Sequence, residues 1–136
     1  FTWGDEYIVP TSSGNFADES ARGTVDLYIP NYDDGFTRLA AVGSFTADKA
    51  GLYDISGNVS EWVHDLYSLI PPKAGQVERD PFGASYGDSH VVKGSNWRSG
   101  SSTELRAAFR DGIKGGRDDV GFRVVRYLYG KNDGKK

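Results

Sequence analysis

Apolar residues in this sequence occur only in short runs, and this patterning constrains the fold more than any other feature. Glycine, asparagine, aspartate and serine interrupt the runs, and 18 of the 136 residues are glycine. Short strands separated by many turns give this pattern, whereas a helical bundle needs longer stretches with apolar residues at helical spacing. The sequence therefore predicts one loop-rich α+β domain with little regular secondary structure.

One segment has the spacing of an amphipathic helix. Trp62, Leu66 and Leu69 recur at intervals of three or four residues, which would place them on one helical face. Asn58 is a residue type that caps helix N-termini, and Pro71–Pro72 would end the helix. We therefore expect the one main helix of the domain to begin after Asn58 and to end before these prolines.

Strand signals concentrate in the last third of the chain. Residues 90–93 are largely β-branched, residues 105–110 alternate in polarity, and residues 120–127 are rich in valine, phenylalanine and tyrosine. The turn-forming sequence DGIKGGRDD separates the last two segments. We expect those two segments to form a hairpin with an elaborated loop.

Composition and charge limit the partners that the chain can have. The net charge is −3 and the basic residues are scattered, so we do not expect nucleic acid as a partner. No apolar stretch is long enough for a membrane span. Cysteine is absent, which removes disulfides and thiolate chemistry. The compartment stays open, with a periplasmic or extracellular location favoured over a cytoplasmic one.

The domain is expected to cover residues 1–130 and to be followed by a flexible tail, residues 131–136. Residues 71–88 are rich in proline, glycine and charge, and we expect them to form a long surface loop.

Two clusters of oxygen-bearing residues have spacing that suits a hard cation. In the sequence GLYDISGNVSEW, Asp54 and Glu61 flank a tight bend at Gly57 that would turn carbonyls inward. Carboxylates combined with carbonyls suit calcium rather than zinc. On spacing alone, turn capping by Asp54 and a favourable helix-dipole position for Glu61 are the favoured explanation.

The second oxygen cluster is looser. Asn15 and Phe16 lie in SGNFADES, and Asp34 and Phe36 lie in NYDDGF. These residues can again supply side-chain and carbonyl oxygens to calcium. An ordinary Asp-Gly turn is the alternative, and spacing alone favours it.

Ionisable residues elsewhere carry weaker signals. Glu61 and His64 have the Glu-x-x-His spacing of di-iron carboxylate proteins, but no second copy exists. His90 has no sequence partner that indicates a catalytic triad. A group of charged residues near the C-terminus has two interpretations. The group forms either a groove for an anion or peptide or a set of ion pairs, and we favour ion pairs because the signs alternate. These residues are Arg106, Arg110, Arg117, Asp118, Asp119 and Arg123.

The order of several sequence blocks is similar to that of a known family. The blocks are FTWGDE, GNFADES, DDGF, AAVGSF, GLYDISGNVSEWVHDLY, VVKGSNWRSG, LRAAFR and RDDVGFRVVR, spread over nearly the whole chain. In this combination the chain resembles the formylglycine-generating enzyme (sulfatase-modifying factor) family. The resemblance implies an irregular variant of the C-type lectin fold.

The resemblance also implies one or two calcium ions. One ion would be held by the side chains of Asp54 and Glu61 with the carbonyls of Gly57 and Val59. The other would be held by the side chains of Asn15 and Asp34 with the carbonyls of Phe16 and Phe36. These are the two clusters that oxygen spacing picks out, and their agreement makes calcium the expected cofactor.

The chain departs from the family at its catalytic centre. Catalytic members oxidise a substrate cysteine with copper held by two cysteines, and the first of these positions corresponds here to Ser99. The second falls near Thr103 or Glu104. A hydroxyl and a carboxylate do not replace a thiolate pair for Cu(I), so formylglycine generation is not expected.

The resemblance further implies that the chain is the C-terminal half of the family domain. It begins after the family block that reads Arg-Leu-Pro-Thr-Glu-Ala-Glu-Trp. The strands that would pair with the missing N-terminal half are then either exposed or paired with that half supplied by another chain.

The expected function is a non-catalytic, calcium-stabilised module that binds a peptide, glycan or protein partner. Its candidate ligand-binding residues are Trp97, Arg98, Ser99, Ser101, Arg106 and Arg110. Trp97 is either an exposed anchor or a core residue. The alternative function is an oxidoreductase of the same superfamily with non-haem iron or copper, whose catalytic part lies outside this chain.

Overall fold

Regular structure is confined to short elements. The computed structural model describes residues 1–69, 74–77, 79 and 83–126, and within these ranges it contains no α-helix. The expected scarcity of regular structure is confirmed. The elements are a 3-10 turn at Glu19–Ala21 and the strands β1 (Ser60–Leu66), β2 (His90–Lys93), β3 (Arg110–Ile113) and β4 (Val120–Gly121).

The four strands form one mixed sheet in the order β3-β2-β1-β4. β2 runs antiparallel to both neighbours, with Trp62 opposite Val92 on one side and His90 opposite Ile113 on the other. β4 runs parallel to β1, with Ser60 opposite Val120. The register of β1 against β2 shifts between Trp62 and Leu66, which marks a bulge in β1.

The helix predicted after Asn58 is wrong, because that segment forms β1. Asn58 has φ +63°, whereas an N-cap residue has an extended backbone, and its side chain bonds residues distant in sequence. The hydroxyl of Ser60 donates to the carbonyl of Gly94 at 2.8 Å, which ties the segment to the end of β2. Pairing with β2 therefore overrides the helical spacing of Trp62 and Leu66.

The strand predicted at residues 90–93 is confirmed. The predictions for residues 105–110 and 120–127, and the hairpin between them, need correction. Residues 105–108 form turns, in which the N–H of Leu105 donates to the carbonyl of Ser101. The strand begins only at Arg110 and includes part of the expected turn sequence. β3 and β4 lie at opposite edges of the sheet, so they form no hairpin. β4 ends at Gly121, and residues 122–126 are exposed.

The core is small and partly polar. Phe16, Tyr32 and Leu105 form a buried cluster, against which Trp3 and Ile29 pack. The largest fully buried side chains are those of Phe16, Asn15 and Asp18. Two of these three are polar, so their hydrogen bonds must be satisfied for the fold to be stable.

The predicted surface loop at residues 71–88 is only partly described. Residues 74–77, 79, 83 and 85–88 are exposed, as expected, whereas residues 71–73, 78 and 80–82 lie outside the described residues. The predicted tail at 131–136 also lies outside them. Among the described residues, no helix has the length and apolar character that crossing a membrane requires.

Replacement of Gly57 tests a close backbone contact between the segment before β1 and Asn15. Gly57 has φ +92°, and an added Cβ would lie 2.8 Å from the backbone nitrogen and oxygen of Asn15. Gly57→Ala should therefore lower the free energy of unfolding by about 3 kcal/mol or more, from backbone strain plus overpacking. Urea denaturation measures this loss.

Gly51→Ala is the matched control for this substitution. Gly51 has φ +80° with open space around it, so its replacement should cost only the strain of about 1–2 kcal/mol. Equal losses at the two positions would show that Gly57 is not packed against Asn15.

Candidate cation sites and ligand cleft

A pair of buried asparagines joins the first predicted oxygen cluster to the second. The side-chain nitrogen of Asn15 donates to the Oδ1 of Asn58 at 3.2 Å and to the carbonyl of Arg38 at 2.6 Å. Asn58 Oδ1 also accepts from the N–H of Ala40 at 2.9 Å, and its carbonyl accepts from the N–H of Trp97 at 3.1 Å. The two asparagines thus fix four distant chain segments to one another.

Asp34 lies beside Asn15 and Phe16. Its Oδ2 accepts from the N–H of Phe16 at 2.8 Å, and its Oδ1 accepts from the N–H of Phe36 at 2.9 Å. Asp18, which is fully buried, accepts from the N–H of Asp34 at 2.6 Å. Burial raises the pKa of the Asp34 carboxyl to about 6, and the charge of Asp18 adds to this effect. A nearby cation would favour the charged carboxylate and so lower the pKa of Asp34.

The structure brings Asn15, Phe16, Asp34 and Phe36 together, as the sequence predicts for one cation site. Three buried side-chain atoms in the described ranges lack a hydrogen-bond partner: Asn15 Oδ1, Asp54 Oδ1 and Trp97 Nε1. The two oxygens belong to the two predicted cation sites, one to each. An unpaired buried oxygen is costly, and a cation ligand is one explanation for it.

The Asp54 site is less complete as a cation cage. Asp54 Oδ2 accepts from the N–H of Gly43 at 2.7 Å, and Oδ1 has no partner. The carboxylate of Glu61 is bound by Arg123, with contacts of 2.7 Å at Oε1 and 3.1 Å at Oε2. The same guanidinium donates to the carbonyl of Tyr53 at 2.8 Å. The charge of Glu61 is therefore already compensated, so this site fits a cation less well than the Asn15 site.

Side-chain groups alone do not form a metal site in the described part of the chain, since no three His, Asp or Glu residues converge there. His64 is exposed, and the ring of His90 packs edge-on against Trp62 at 6.2 Å. Any cation site would accordingly depend on amide and carbonyl oxygens as well as carboxylates.

A cleft of about 440 Å³ lies at the ends of β1 and β2 and contains both Ser99 and Glu104. Ser99 is 3% exposed, and its hydroxyl accepts from the N–H of Asn96 at 3.1 Å. The side chain of Asn96 donates to Ser60 and to Asp119, which also line the cleft. The charged residues that line the cleft are Arg98, Glu104, Asp111, Arg117, Asp118 and Asp119.

Trp97 is a buried residue beside the cleft and not an exposed anchor. It is 8% exposed because two guanidinium groups cover its ring, that of Arg38 at 4.9 Å and that of Arg98 at 4.4 Å. Both arginines donate to the same oxygen of Asp118, at 3.0 and 2.9 Å. We call Arg38, Trp97, Arg98 and Asp118 the arginine–tryptophan stack.

The remaining ligand-binding candidates do not gather in one place. Ser101 bonds to the nearby Glu104, because the Ser101 hydroxyl donates to Glu104 Oε2 at 2.7 Å. Arg106 lines a separate surface cleft with Tyr7. Arg110 lies over the ring of Tyr67 and donates to the carbonyl of Ser68. Neither Arg106 nor Arg110 lines the cleft at Ser99.

The expected ion pairs near the C-terminus are present. Arg117 pairs with Asp119 at 2.9 Å and with Asp111 at 3.2 Å, and Arg123 pairs with Glu61. The sequence did not indicate Arg38, because its partners Trp97 and Asp118 lie about 60 and 80 residues away and no local pattern links residues so far apart.

Two solved structures share this fold. Treponema denticola variable protein 1 superposes with a TM-score of 0.61 at 24% identity, over 82% of this chain and 34% of that chain. PvdO from Pseudomonas aeruginosa superposes with a TM-score of 0.59 at 24% identity, over 88% of this chain and 40% of that chain. At these identities the likeness concerns the fold alone.

Sequence comparison establishes the family. The formylglycine-generating enzyme of Thermomonospora curvata is 30% identical over 99 residues, which are 71% of this chain and 31% of that protein. The serine/threonine-protein kinase Pkn1 of Chlamydia trachomatis is 35% identical over 88 residues, which are 62% of this chain and 14% of the kinase. The model of the sulfatase-modifying factor enzyme 1-like domain matches residues 1–128, and the chain belongs to that family.

The predicted family is thereby confirmed. The chain spans less than a third of the length of these two relatives.

The raised pKa of Asp34 predicts how stability without metal depends on pH. The pKa is about 6 in the folded chain against 3.8 for the free side chain, so the folded form binds the proton more tightly. The stability that this proton contributes is fully present below pH 4 and is lost as the pH rises to about 6. Metal-free wild-type protein should show this loss in its free energy of unfolding.

Asp34→Asn should lack this component of the pH profile. Denaturant unfolding between pH 4 and 7 would measure the difference between the two proteins. Parallel profiles would mean that Asp34 is not desolvated in the folded chain.

Proposed function

We propose that this chain is a non-catalytic binding module whose cleft at Ser99 takes a peptide. The observation that carries the proposal is that Ser99 and Glu104 lie in one polar cleft, because the family resemblance assigns the thiol pair of catalytic members to Ser99 and to Thr103 or Glu104. The C-type-lectin-type fold that the resemblance implies supports it, since such a fold displays loops on a rigid frame.

The chemistry of the cleft suits binding better than reaction. Ser99 is buried and its hydroxyl is bonded within the 96–99 turn, and neither histidine lines the cleft to activate it. Arg117 is paired with two aspartates, so the charged groups present fixed donors and acceptors. These groups match the alternating N–H and C=O groups of a peptide backbone.

A peptide is favoured over a glycan because the cleft offers no open aromatic platform. The ring of Trp97 is covered on two sides by guanidinium groups, and Phe109 is the one aromatic among the lining residues. Mixed charges of both signs, from Arg98 and Arg117 to Asp111 and Glu104, instead suit charged peptide side chains.

We further propose that calcium stabilises the frame around this cleft. Asn15 and Asp34 with the carbonyls of Phe16 and Phe36 would hold one ion, and Asn15 Oδ1 is a buried oxygen with no other partner. Asp54 would take part in the second site, although Arg123 competes there for Glu61. Bound calcium would supply structural stabilisation and no chemical step.

The match to a chlamydial kinase supports a modular role, because the aligned segment is only 14% of that protein. The match to a formylglycine-generating enzyme keeps the alternative open, namely an oxidoreductase whose catalytic part lies outside this chain. Oxidation of a cysteine peptide of the sulfatase type by the purified chain would overturn the proposal of a non-catalytic module.

Calcium titration tests the proposed frame. Isothermal titration calorimetry should detect calcium binding to the wild-type chain. Asp34→Asn and Asp54→Asn should each lose one equivalent of binding. Calcium at about 100 times its Kd should raise the free energy of unfolding by about 2.7 kcal/mol for each ion bound.

The control for the first of these variants is Asp33→Asn in the same turn. Asp33 is exposed and accepts only from the N–H of Gly35, so its replacement should leave calcium binding unchanged. If calorimetry detects no calcium binding to the wild-type protein, the proposal that calcium stabilises the frame is wrong.

A display library of random nine-residue peptides tests the cleft. Peptides selected on the wild-type chain should lose about tenfold or more in affinity for Glu104→Lys, which reverses a charge in the cleft lining. Asp26→Lys makes the same change at an exposed position outside the lining and should have no effect. Equal affinities for the two variants would place peptide binding elsewhere, and binding only on a glycan array would favour a sugar ligand.

A further inference from the structure

We propose that cation occupancy at the Asn15 and Asp34 site controls the cleft through Arg38, although neither Arg38 nor the cation lies in the cleft lining. This inference rests on the proposed function and concerns the regulation of the same site. It makes Arg38 a positioning residue, which acts on the cleft through Asp118.

The backbone of Arg38 is held by the predicted cation site. The carbonyl of Arg38 accepts from Asn15 Nδ2 at 2.6 Å, and the other end of the same amide is the unpaired Oδ1. Both carboxylate oxygens of Asp34, four residues earlier, hold backbone N–H groups of Phe16 and Phe36. The segment 34–38 is therefore attached at both ends to residues that would ligate the cation.

The side chain of Arg38 reaches the cleft wall. Its guanidinium lies 4.9 Å from the centre of the Trp97 ring and 3.0 Å from Asp118 Oδ2. Asp118 and Arg98, which shares the same oxygen, line the cleft. Arg38 thus closes one face of the arginine–tryptophan stack from outside the cleft.

These side-chain contacts are too weak to position the stack alone. The Arg38 side chain is 64% exposed and that of Asp118 is 50% exposed, and exposed ion pairs contribute little in water. The position of Arg38 therefore depends on its backbone. The Asn15 amide holds this backbone at the Arg38 carbonyl, and the Asn58 side chain holds it two residues later, at Ala40.

The cation sets the orientation of the Asn15 amide. With a cation on Asn15 Oδ1, the amide is fixed and Nδ2 holds the Arg38 carbonyl. Without the cation, Oδ1 is left desolvated and unpaired, so the amide gains by turning toward a donor or water, which releases Arg38. Asp118 then loses one of its two guanidinium partners and the cleft wall becomes more negative and less ordered.

The test uses the full chain labelled with 5-fluorotryptophan. The three tryptophans give separate fluorine resonances, and Trp97→Phe assigns the one of interest. Calcium should shift the Trp97 resonance relative to chelator. The titration uses the Asp54→Asn protein, because Trp62 neighbours Glu61 of the second proposed calcium site. In that protein Trp62, which packs against His90 in the sheet, should stay unshifted and serves as the internal reference.

Arg38→Met should remove most of the calcium-induced shift of Trp97 while calorimetry still finds the same number of calcium equivalents. Because coupling is reciprocal, the same variant should bind calcium about two- to fivefold more weakly. Arg22→Met is the matched control, since Arg22 stacks on Tyr28 away from the cleft and should behave as wild type. If Arg38→Met does not fold, Arg38→Lys keeps the charge, loses the planar stack and should show the same loss.

The outcomes separate the two proposals. Calcium binding in the calorimeter without a Trp97 shift, or with an equal shift in the folded Arg38 variant, overturns the coupling and leaves the calcium frame intact. Absence of calcium binding to the wild-type chain overturns both.

Discussion

A hydrogen bond between the buried side chains of Asn15 and Asn58 joins loops that are distant in sequence. Asn15 reaches the backbone of Arg38, and Asn58 reaches the backbones of Ala40 and Trp97. Gly57 lies against the Asn15 backbone with no room for a side chain. Two asparagines thereby hold the segments that carry the predicted cation site, the cleft wall and the start of β1.

This polar centre explains why the fold can have so little regular structure. Strands and helices normally satisfy buried backbone groups, and here side-chain amides and carboxylates do much of that work. Asp18 and Asp34 bond N–H groups of the loops that would otherwise be unpaired. The result is a frame that depends on correct placement of a few polar atoms, one of which, Asn15 Oδ1, has no partner among the residues that the structure describes.

The sequence predicted the family, because membership depends on ordered blocks of residues, while the cation role of both oxygen clusters stays a prediction. It predicted β2, where Val91 and Val92 favour a strand. It failed at β1, where the spacing of Trp62 and Leu66 suits a helix and only pairing with β2 decides the outcome. It failed again at Leu105, an apolar residue that is buried from within a turn. Arg38 has no local signal, since its role comes from contacts distant in sequence.

The proposed calcium frame requires a cation bound to Asn15 Oδ1 and Asp34. A crystal structure grown with calcium, with diffraction recorded at long wavelength, would locate this ion. We expect an anomalous difference peak within bonding distance of Asn15 Oδ1, the Asp34 carboxylate and the carbonyls of Phe16 and Phe36. A map without that peak, in which Asn15 Oδ1 accepts a hydrogen bond from a protein group or water, would rule the site out.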